Sequence, residues 1–491
     1  MPNYRLSKSK ITEGLQCVKR IWLSTHRPDL AVVEKAVTQR LQAGLALHEV
    51  YRSCYPKGHY VDDTYGLGEA LRITKRLLAD GAQHIFEATF AHQEVLVRAD
   101  LITKENGSYN LYEVKSSTSV KDYQMQDAAI QAWVISNSIP LGKVFISHID
   151  NAFVYFGKGN YHGLFFHEEI TDNVKTLQSE IPDWIVKFKG VLSSGEPTIV
   201  PDAHCFEPFE CPYLAYCSPT QAGPDYPVEI LPGASRIERE LVAEGYVDLR
   251  CVPRDRLSDA RHLRMWDAVH SGTPQMDAAL RLEIEQIAFP RFFLDFETIT
   301  FAAPIWAGTR PYQQLPFQYS CHIEQAEGEI KHLEFLDLSG HPPMRSLAEK
   351  MIADLGVSGP IVTYGHFERM IIGILIELFP DLHRPLADLQ DRIVDLLPLL
   401  RQYYYHPDMA GSWSIKAVLP TIAPDLTYDT LEEVHDGMEA QAAFLEAIHE
   451  QTPDSRRQAL REHLLKYCGQ DSWAMVRIVR HFSGHPMQRR Q

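Results

Sequence analysis

Apolar positions along this chain recur with two alternating periods, and the switches between them mark out its elements. Over residues 1–55 the spacing is helical, and "LQAGLALHEVY" puts Leu41, Leu45 and His48 on one face at i, i+4 and i+7. The period then falls to two. "EVLVRADLIT", the turn "KENGS" with Asn106-Gly107, and "YNLYEVKSS" predict a β-hairpin. Helical spacing returns in "YQMQDAAIQAWVISNS" (123–138), and the Pro/Gly-rich "SPTQAGPDYPVEILPGAS" (218–235) predicts a boundary. From Phe292 the strand period resumes in "RFFLDFETI". "IVTYGHFERMIIGIL" then reads as a strand running into a helix, and "REHLLKYCGQDSWAMVRIVRHF" as an amphipathic helix. The pattern predicts an α/β protein with one unit over residues 1–222, a helical connector over 223–286 and a second unit over 287–491. At 491 residues the chain is too long for a single ordinary core.

Composition narrows the class. Hydrophobic residues make up 45% of the chain and charged residues 23%, the balance of a globular protein. No stretch approaches the roughly 20 apolar residues that span a bilayer; the best run, "MIIGILIELF" (370–379), contains Glu377. The basic "MPNYRLSKSK" is not followed by an apolar region, so the expected location is cytoplasmic, with no membrane partner and with thiols kept reduced. A net charge of −16 argues against coating nucleic acid by bulk charge, yet carboxylate-rich metal sites add such charge themselves. Residues 1–40 run the other way, with eight Lys/Arg against Glu13, Asp29 and Glu34. That excess suits a phosphate backbone or a solvated helical surface equally.

Charge placed on strands carries the candidate chemistry. In "YNLYEVKSS" alternation puts Leu111, Glu113 and Lys115 on one face, and Asp100 lies on the preceding strand of the hairpin. Two carboxylates suffice for Mg²⁺, and a lysine beside them orients a water or offsets phosphate charge, although a lone E-x-K also suits a cross-strand ion pair. In "RFFLDFETI" Asp295 and Glu297 share a face with Phe293, an expensive placement unless a cation pairs with them. Tyr467 and Asp471 fall at i, i+4 on the late helix, and Glu368 follows the middle strand, with Asp395 in "RIVDLLPLLR" as its competitor. "CFEPFECPYLAYC" (205–217) holds three of the eight cysteines, which in a reducing compartment read as metal ligands before disulfides. Cys54, Cys251, Cys321 and Cys468 read as packing residues.

The hairpin acid, the E-x-K strand, the helical histidine before them and the Gln-bearing helix after them resemble the PD-(D/E)XK nuclease fold, most of all its RecB-like branch. The resemblance implies Asp100, Glu113 and Lys115 as the catalytic set and His48 as a further metal ligand. It implies Gln131, beside Trp133, as the helix glutamine, although the usual Gln-to-Tyr spacing is not reproduced. Some RecB-like nucleases, the CRISPR-associated exonucleases and the AddB nuclease among them, join the two ends of this domain through a 4Fe–4S cluster. By that resemblance Cys17, Cys205, Cys211 and Cys217 supply the four thiolates and close a loop of almost 190 residues. The spacing of five residues between successive cysteines departs from the usual C-x2-C pair, which leaves structural zinc as the alternative.

D-x-E, a middle acid and Y-x3-D resemble the DnaQ-like, DEDD-type exonucleases, whose fold is RNase H-like. The resemblance implies Asp295, Glu297, Glu368 and Asp471 as ligands of two divalent ions and Tyr467 as the residue that orients the water. That family has Asp at the middle position, so Glu368 is a departure. Together with "YYYHPDMAGSWSIKAVLP" (403–420), the chain looks like a bacterial two-nuclease family of unassigned role. The implied function is a Mg²⁺- or Mn²⁺-dependent deoxyribonuclease with two active sites, processing DNA ends in repair or phage defence, with RNA as the other substrate. The reading from a different class is a nucleic-acid-binding protein in which one or both nuclease folds are degenerate.

Overall fold

The computed structural model describes residues 6–32, 35–218, 223–232, 236–428 and 431–484. It is a mixed α/β structure that divides into two compact units, Met1–Thr220 with Phe301–Gln313, and Gln221–Thr300 with Gln314–Gln491. Among the described residues no helix is long and apolar enough to cross a membrane.

The first unit is built on one sheet of seven strands: β1 (Leu6–Ser7), β2 (His59–Tyr60), β3 (His84–His92), β4 (Val95–Glu105), β5 (Ser108–Val114), β6 (Leu141–Ile149) and β7 (Phe165–Glu169). β3, β4 and β5 form an antiparallel meander, and β5 pairs parallel to β6. The predicted hairpin turn is present. Asn106 and Gly107 take φ of 48° and 86°, the left-handed pair that a two-residue turn between twisted strands requires and that Gly adopts without cost. A parallel β5–β6 pair needs a crossover. Of the helices α1 (Lys8–Gln16), α2 (Val18–His26), α3 (Lys35–Ser53), α4 (Asp122–Ser136) and α5 (Ile181–Leu192), it is α4 that makes it. Small residues let α4 lie close on the sheet: Ala128, Ala129 and Ala132 are fully buried in a core with Ala99, Leu111 and Val144.

Two details of this sheet position the site. β1 pairs parallel to β4 at Val95 and Leu96, beyond the stretch where β5 covers β4, which begins at Leu101. The chain that leaves β1 therefore passes the end of β5. On β3, Glu87 has φ of 54°, in the left-handed region where a side chain is strained. The pleat changes face at that rung. Phe86 and Leu101 pack in one apolar cluster, while Ala88 and Ala99 pack in another.

The second unit has a five-stranded sheet of β8 (Arg291–Ile299), β9 (Leu315–Glu324), β10 (Ile330–Leu336), β11 (Ile361–Thr363) and β12 (Ile393–Asp395), in the order β10-β9-β8-β11-β12. β8 is central, antiparallel to β9 and parallel to β11. Helices α6 (Phe367–Leu378), α7 (Ile415–Ile422) and α8 (Asp454–Ser483) bring the other functional candidates to it.

Two boundaries differ from the sequence expectation. Residues 223–286 are not a free-standing connector: Leu241, Met265 and Leu280 share a core with Phe293, Trp473 and Val476, because their helices carry apolar stripes that must be covered. Within the expected second unit, residues 301–313 belong to the first, where Tyr155 and Gly308/Thr309 exchange backbone hydrogen bonds of 2.7 and 3.0 Å.

Candidate metal and active sites

At the end of β5 two acids and two lysines meet. Lys8 Nζ lies 2.8 Å from Glu113 Oε1 and 3.1 Å from Asp127 Oδ2, and Lys115 Nζ lies 2.7 Å from each of the same two oxygens. Gln131 donates to the second oxygen of Glu113. Asp100 Oδ2 accepts from Val114 N at 2.7 Å, so this carboxylate caps the backbone at the start of the E-x-K step. On its other side, His48, Glu87 and Asp100 each offer a donor atom within 4.8 Å of the others. The structure thus gathers His48, Asp100, Glu113, Lys115 and Gln131 into one place; Trp133 instead packs edge-on against His92, 4.8 Å away.

Electrostatics sorts these groups. Burial works against the Lys115 charge, but Glu113 and Asp127 outweigh it and raise its pKa, so the ammonium stays protonated. Burial likewise works against the Glu113 charge, and the two lysines overcome it and hold its carboxyl well below the ordinary range. Asp100 moves the opposite way, raised by burial and by the charge of Glu113. Burial lowers the pKa of His48, which keeps the imidazole neutral and its lone pair free for a metal. Lys8, Lys115 and Asp127 line an open groove of about 1010 Å³ that also takes in Arg20, Tyr123 and Phe209.

The four expected cysteines also converge. Cys17, Cys205, Cys211 and Cys217 line one pocket with Lys19, Arg20 and Tyr213, and all four are free thiols. The N-terminal helices are stitched to the cysteine segment by Gln16 Nε2, which donates to His204 O at 2.8 Å and Phe209 O at 2.7 Å. Val32 N reaches Pro212 O at 2.9 Å. Burial raises the pKa of Cys211 and Cys217, with Arg20 opposing at the first and Lys19 at the second.

In the second unit the acids gather with little compensation. Asp295 and Glu297 lie on β8, Glu368 in the first turn of α6, and Tyr467 and Asp471 on α8. Glu297 and Glu368 are buried, and among the described residues Glu368 Oε2 has no hydrogen-bond partner. Asp471 accepts a hydrogen bond from Tyr428. Burial, then the charges of Asp471, Glu297 and Glu368, push Asp295 well above the carboxylate range. Glu297 rises through burial and Asp471, against Lys416. Burial chiefly lifts Glu368 to about 8 and Asp471 to about 6. Asp395, the competing middle acid, is committed elsewhere: its Oδ1 accepts from Gly365 N at 2.7 Å and Leu397 N at 2.9 Å, capping the helix that follows β12.

Several members of both sites had escaped sequence reading. Asp127 was legible in principle, since it precedes Gln131 by one helical turn. Lys8 was not, because only the parallel pairing of β1 delivers it, nor was Glu87, whose backbone conformation no local pattern announces. Lys416 reaches the second site with Nζ 5.1 Å from the Tyr428 ring centre and 5.5 Å from that of Tyr467. Cys321 and Cys468, expected to be packing residues, are both fully buried, and Cys468 also places Sγ 3.5 Å from Asp295 Oδ2. Cys54 and Cys251, also expected to pack, are exposed.

Residues 292–414 match the family described as a domain of unknown function, DUF2779. The matched stretch contains Asp295, Glu297 and Glu368 and ends before Lys416 and α8. A solved structure titled "Crystal structure of SSO0001" aligns at 15% identity and a TM-score of 0.23, covering 44% of this chain and 86% of that one. No curated protein matches.

Proposed function

We propose that the chain is a metal-dependent nuclease that hydrolyses phosphodiester bonds of DNA at two active sites, one in each unit. The observation that carries this reading is the second cluster: burial raises the pKa of Asp295, Glu297, Glu368 and Asp471, the charge of Asp471 adds to the rise at the other three, and Lys416 opposes it at Glu297 and Asp471. Such a cluster is costly without positive charge. Bound Mg²⁺ or Mn²⁺ would supply that charge, activate water and stabilise the oxygens of a phosphoryl displacement. The site's topology, a central strand bearing D-x-E with two neighbours beyond it and a late helix bearing Y-x3-D, supports an RNase H-like, DnaQ-type unit acting as an exonuclease. There Tyr467, facing Asp471, orients the attacking water through its hydroxyl.

In the first unit the antiparallel meander, the crossover helix and the parallel fourth strand support a PD-(D/E)XK fold of the RecB-like branch. His48, Asp100 and Glu113 would hold the divalent ion, with Glu87 beside them. Lys115 stays protonated and offsets charge on the phosphate, and Gln131 holds the Glu113 carboxylate in place. The groove beside these residues suits a polynucleotide strand, with Tyr123 and Phe209 offering ring faces to bases. Cys17, Cys205, Cys211 and Cys217 fit a 4Fe–4S cluster in number and basic surroundings. Its contribution would be structural, a clip joining the chain ends of the unit.

The test is an anaerobic preparation assayed for iron, sulfide and cleavage of end-labelled single- and double-stranded DNA and RNA with Mg²⁺ or Mn²⁺. Near-stoichiometric clusters and metal-dependent DNA cleavage are expected. Stoichiometric zinc would overturn the cluster, and metal-independent or absent cleavage the nuclease.

A further inference from the structure

Cys468 follows Tyr467 on α8 and is fully buried. Carboxylates lie beside its thiol, which an inert buried thiol ordinarily lacks. Sγ donates to Asp295 Oδ2 at 3.5 Å and to the Asp295 carbonyl at 3.7 Å. Sγ and one carboxylate oxygen each from Asp295 and Glu297 lie within 4.8 Å of one another, a spacing three donors adopt around one cation. An independent feature points to the same place. Among the described residues Glu368 Oε2 is buried with no hydrogen-bond partner, and its charge is felt at Asp295. A buried polar atom left unpaired costs free energy unless something absent from the protein itself satisfies it.

Oxygen-only ligand sets suit hard cations such as Mg²⁺, whereas a thiolate shifts preference toward softer ones. We propose that Cys468 supplies a sulfur ligand here, so that Cys468, Asp295 and Glu297 together take a thiophilic divalent cation of the zinc class in preference to Mg²⁺. The inference rests on the reading of these acids as a metal centre and deepens it. Binding releases the thiol proton to solvent as the sulfur–metal bond forms, with no change of oxidation state. The consequence is regulatory: zinc-class ions compete with Mg²⁺ for the second site, so its metal occupancy depends on which cation is available.

The probe is Cd²⁺, titrated into the full-length protein with its other cysteines intact and read by the thiolate-to-cadmium charge-transfer band and by melting temperature. Wild type should show a band component that Cys468→Ser lacks. The substitution should weaken Cd²⁺ at this site by about 100-fold or more, while Mn²⁺ affinity stays within about threefold. Asp295→Asn keeps the thiol and serves as the second variant; it should weaken the same band component if the ligands act as one site. Equal bands and equal Cd²⁺ shifts in wild type and Cys468→Ser overturn the sulfur ligand, as does an undiminished band in Asp295→Asn. The nuclease reading fails separately. Mn²⁺-dependent cleavage with Cd²⁺ behaviour unchanged by Cys468→Ser sinks only the sulfur ligand. Cd²⁺ held through Cys468 in a protein that never cleaves DNA supports the sulfur ligand and sinks the nuclease.

Discussion

The two acid-bearing sites handle charge in opposite ways. In the first, Glu113 and Asp127 are matched by Lys8 and Lys115 at 2.7–3.1 Å, so the polar ring is balanced by the chain itself. In the second, four carboxylates face one another and Lys416 is the opposing cation, set over the rings of Tyr428 and Tyr467. The difference teaches how each cluster carries its charge. In the first the chain's own lysines offset the acids, whereas in the second burial and neighbouring carboxylates raise the acids' pKa, a cost that the proposed metal would offset.

The sharpest break of that contrast is Asp295→Ala. In a Lys115→Ala background, which silences the first site, it should lower cleavage by about 10³-fold or more, the equivalent of several kcal/mol. In chelator, at a pH high enough to ionise the cluster, it should also raise the stability of the second unit, since one of the repelling charges is gone. Lys8→Met does the reverse in the first unit. It leaves Glu113 and Asp127 sharing one cation and should cost about 2 kcal/mol in denaturant unfolding, less than a wholly buried pair because 21% of the Lys8 side chain stays exposed. Tyr467→Phe keeps every carboxylate and should reduce turnover by about tenfold to a hundredfold with Mn²⁺ affinity unchanged.

The smallest and most specific effect is on pH. A carboxyl whose folded-state pKa lies above its unfolded value binds more protons when folded, so the stability it lends at low pH is lost as pH rises through the folded value. For Asp471, raised to about 6, and Glu368, raised from 4.5 to about 8, chelated protein should lose second-unit stability from about pH 4 up to pH 8. Melting in chelator should show this slope, Glu368→Gln should flatten its upper part, and Mn²⁺ should remove most of it. A flat profile in chelator would place these acids in separate, solvated positions.

How much of this was legible follows from where each signal lives. The strand acids and Y-x3-D were readable because alternation and the helical turn are local rules, and Asn106-Gly107 announced its hairpin for the same reason. The cysteine set was partly local: three fall within thirteen positions, while Cys17 entered through resemblance. Lys8 and Glu87 were out of reach because a parallel pairing between Leu6–Ser7 and β4, and a strained backbone on β3, are products of the assembled sheet. Residues 223–286 misled because amphipathic helices that pack and helices that merely link carry similar patterns. The choice between Glu368 and Asp395 was likewise tertiary. One acid is spent on backbone amides at 2.7 and 2.9 Å, while the other has an oxygen with no partner among the described residues.

The central claim, two independent metal-dependent nuclease sites, is tested most directly by four full-length proteins side by side: wild type, Lys115→Ala, Asp295→Ala and the double variant. Each is incubated anaerobically with end-labelled DNA and Mn²⁺, and the products are resolved at nucleotide resolution. Each single variant should lose one pattern of products and keep the other, and the double variant should leave the DNA intact. Cleavage by the double variant at the wild-type rate would contradict the claim.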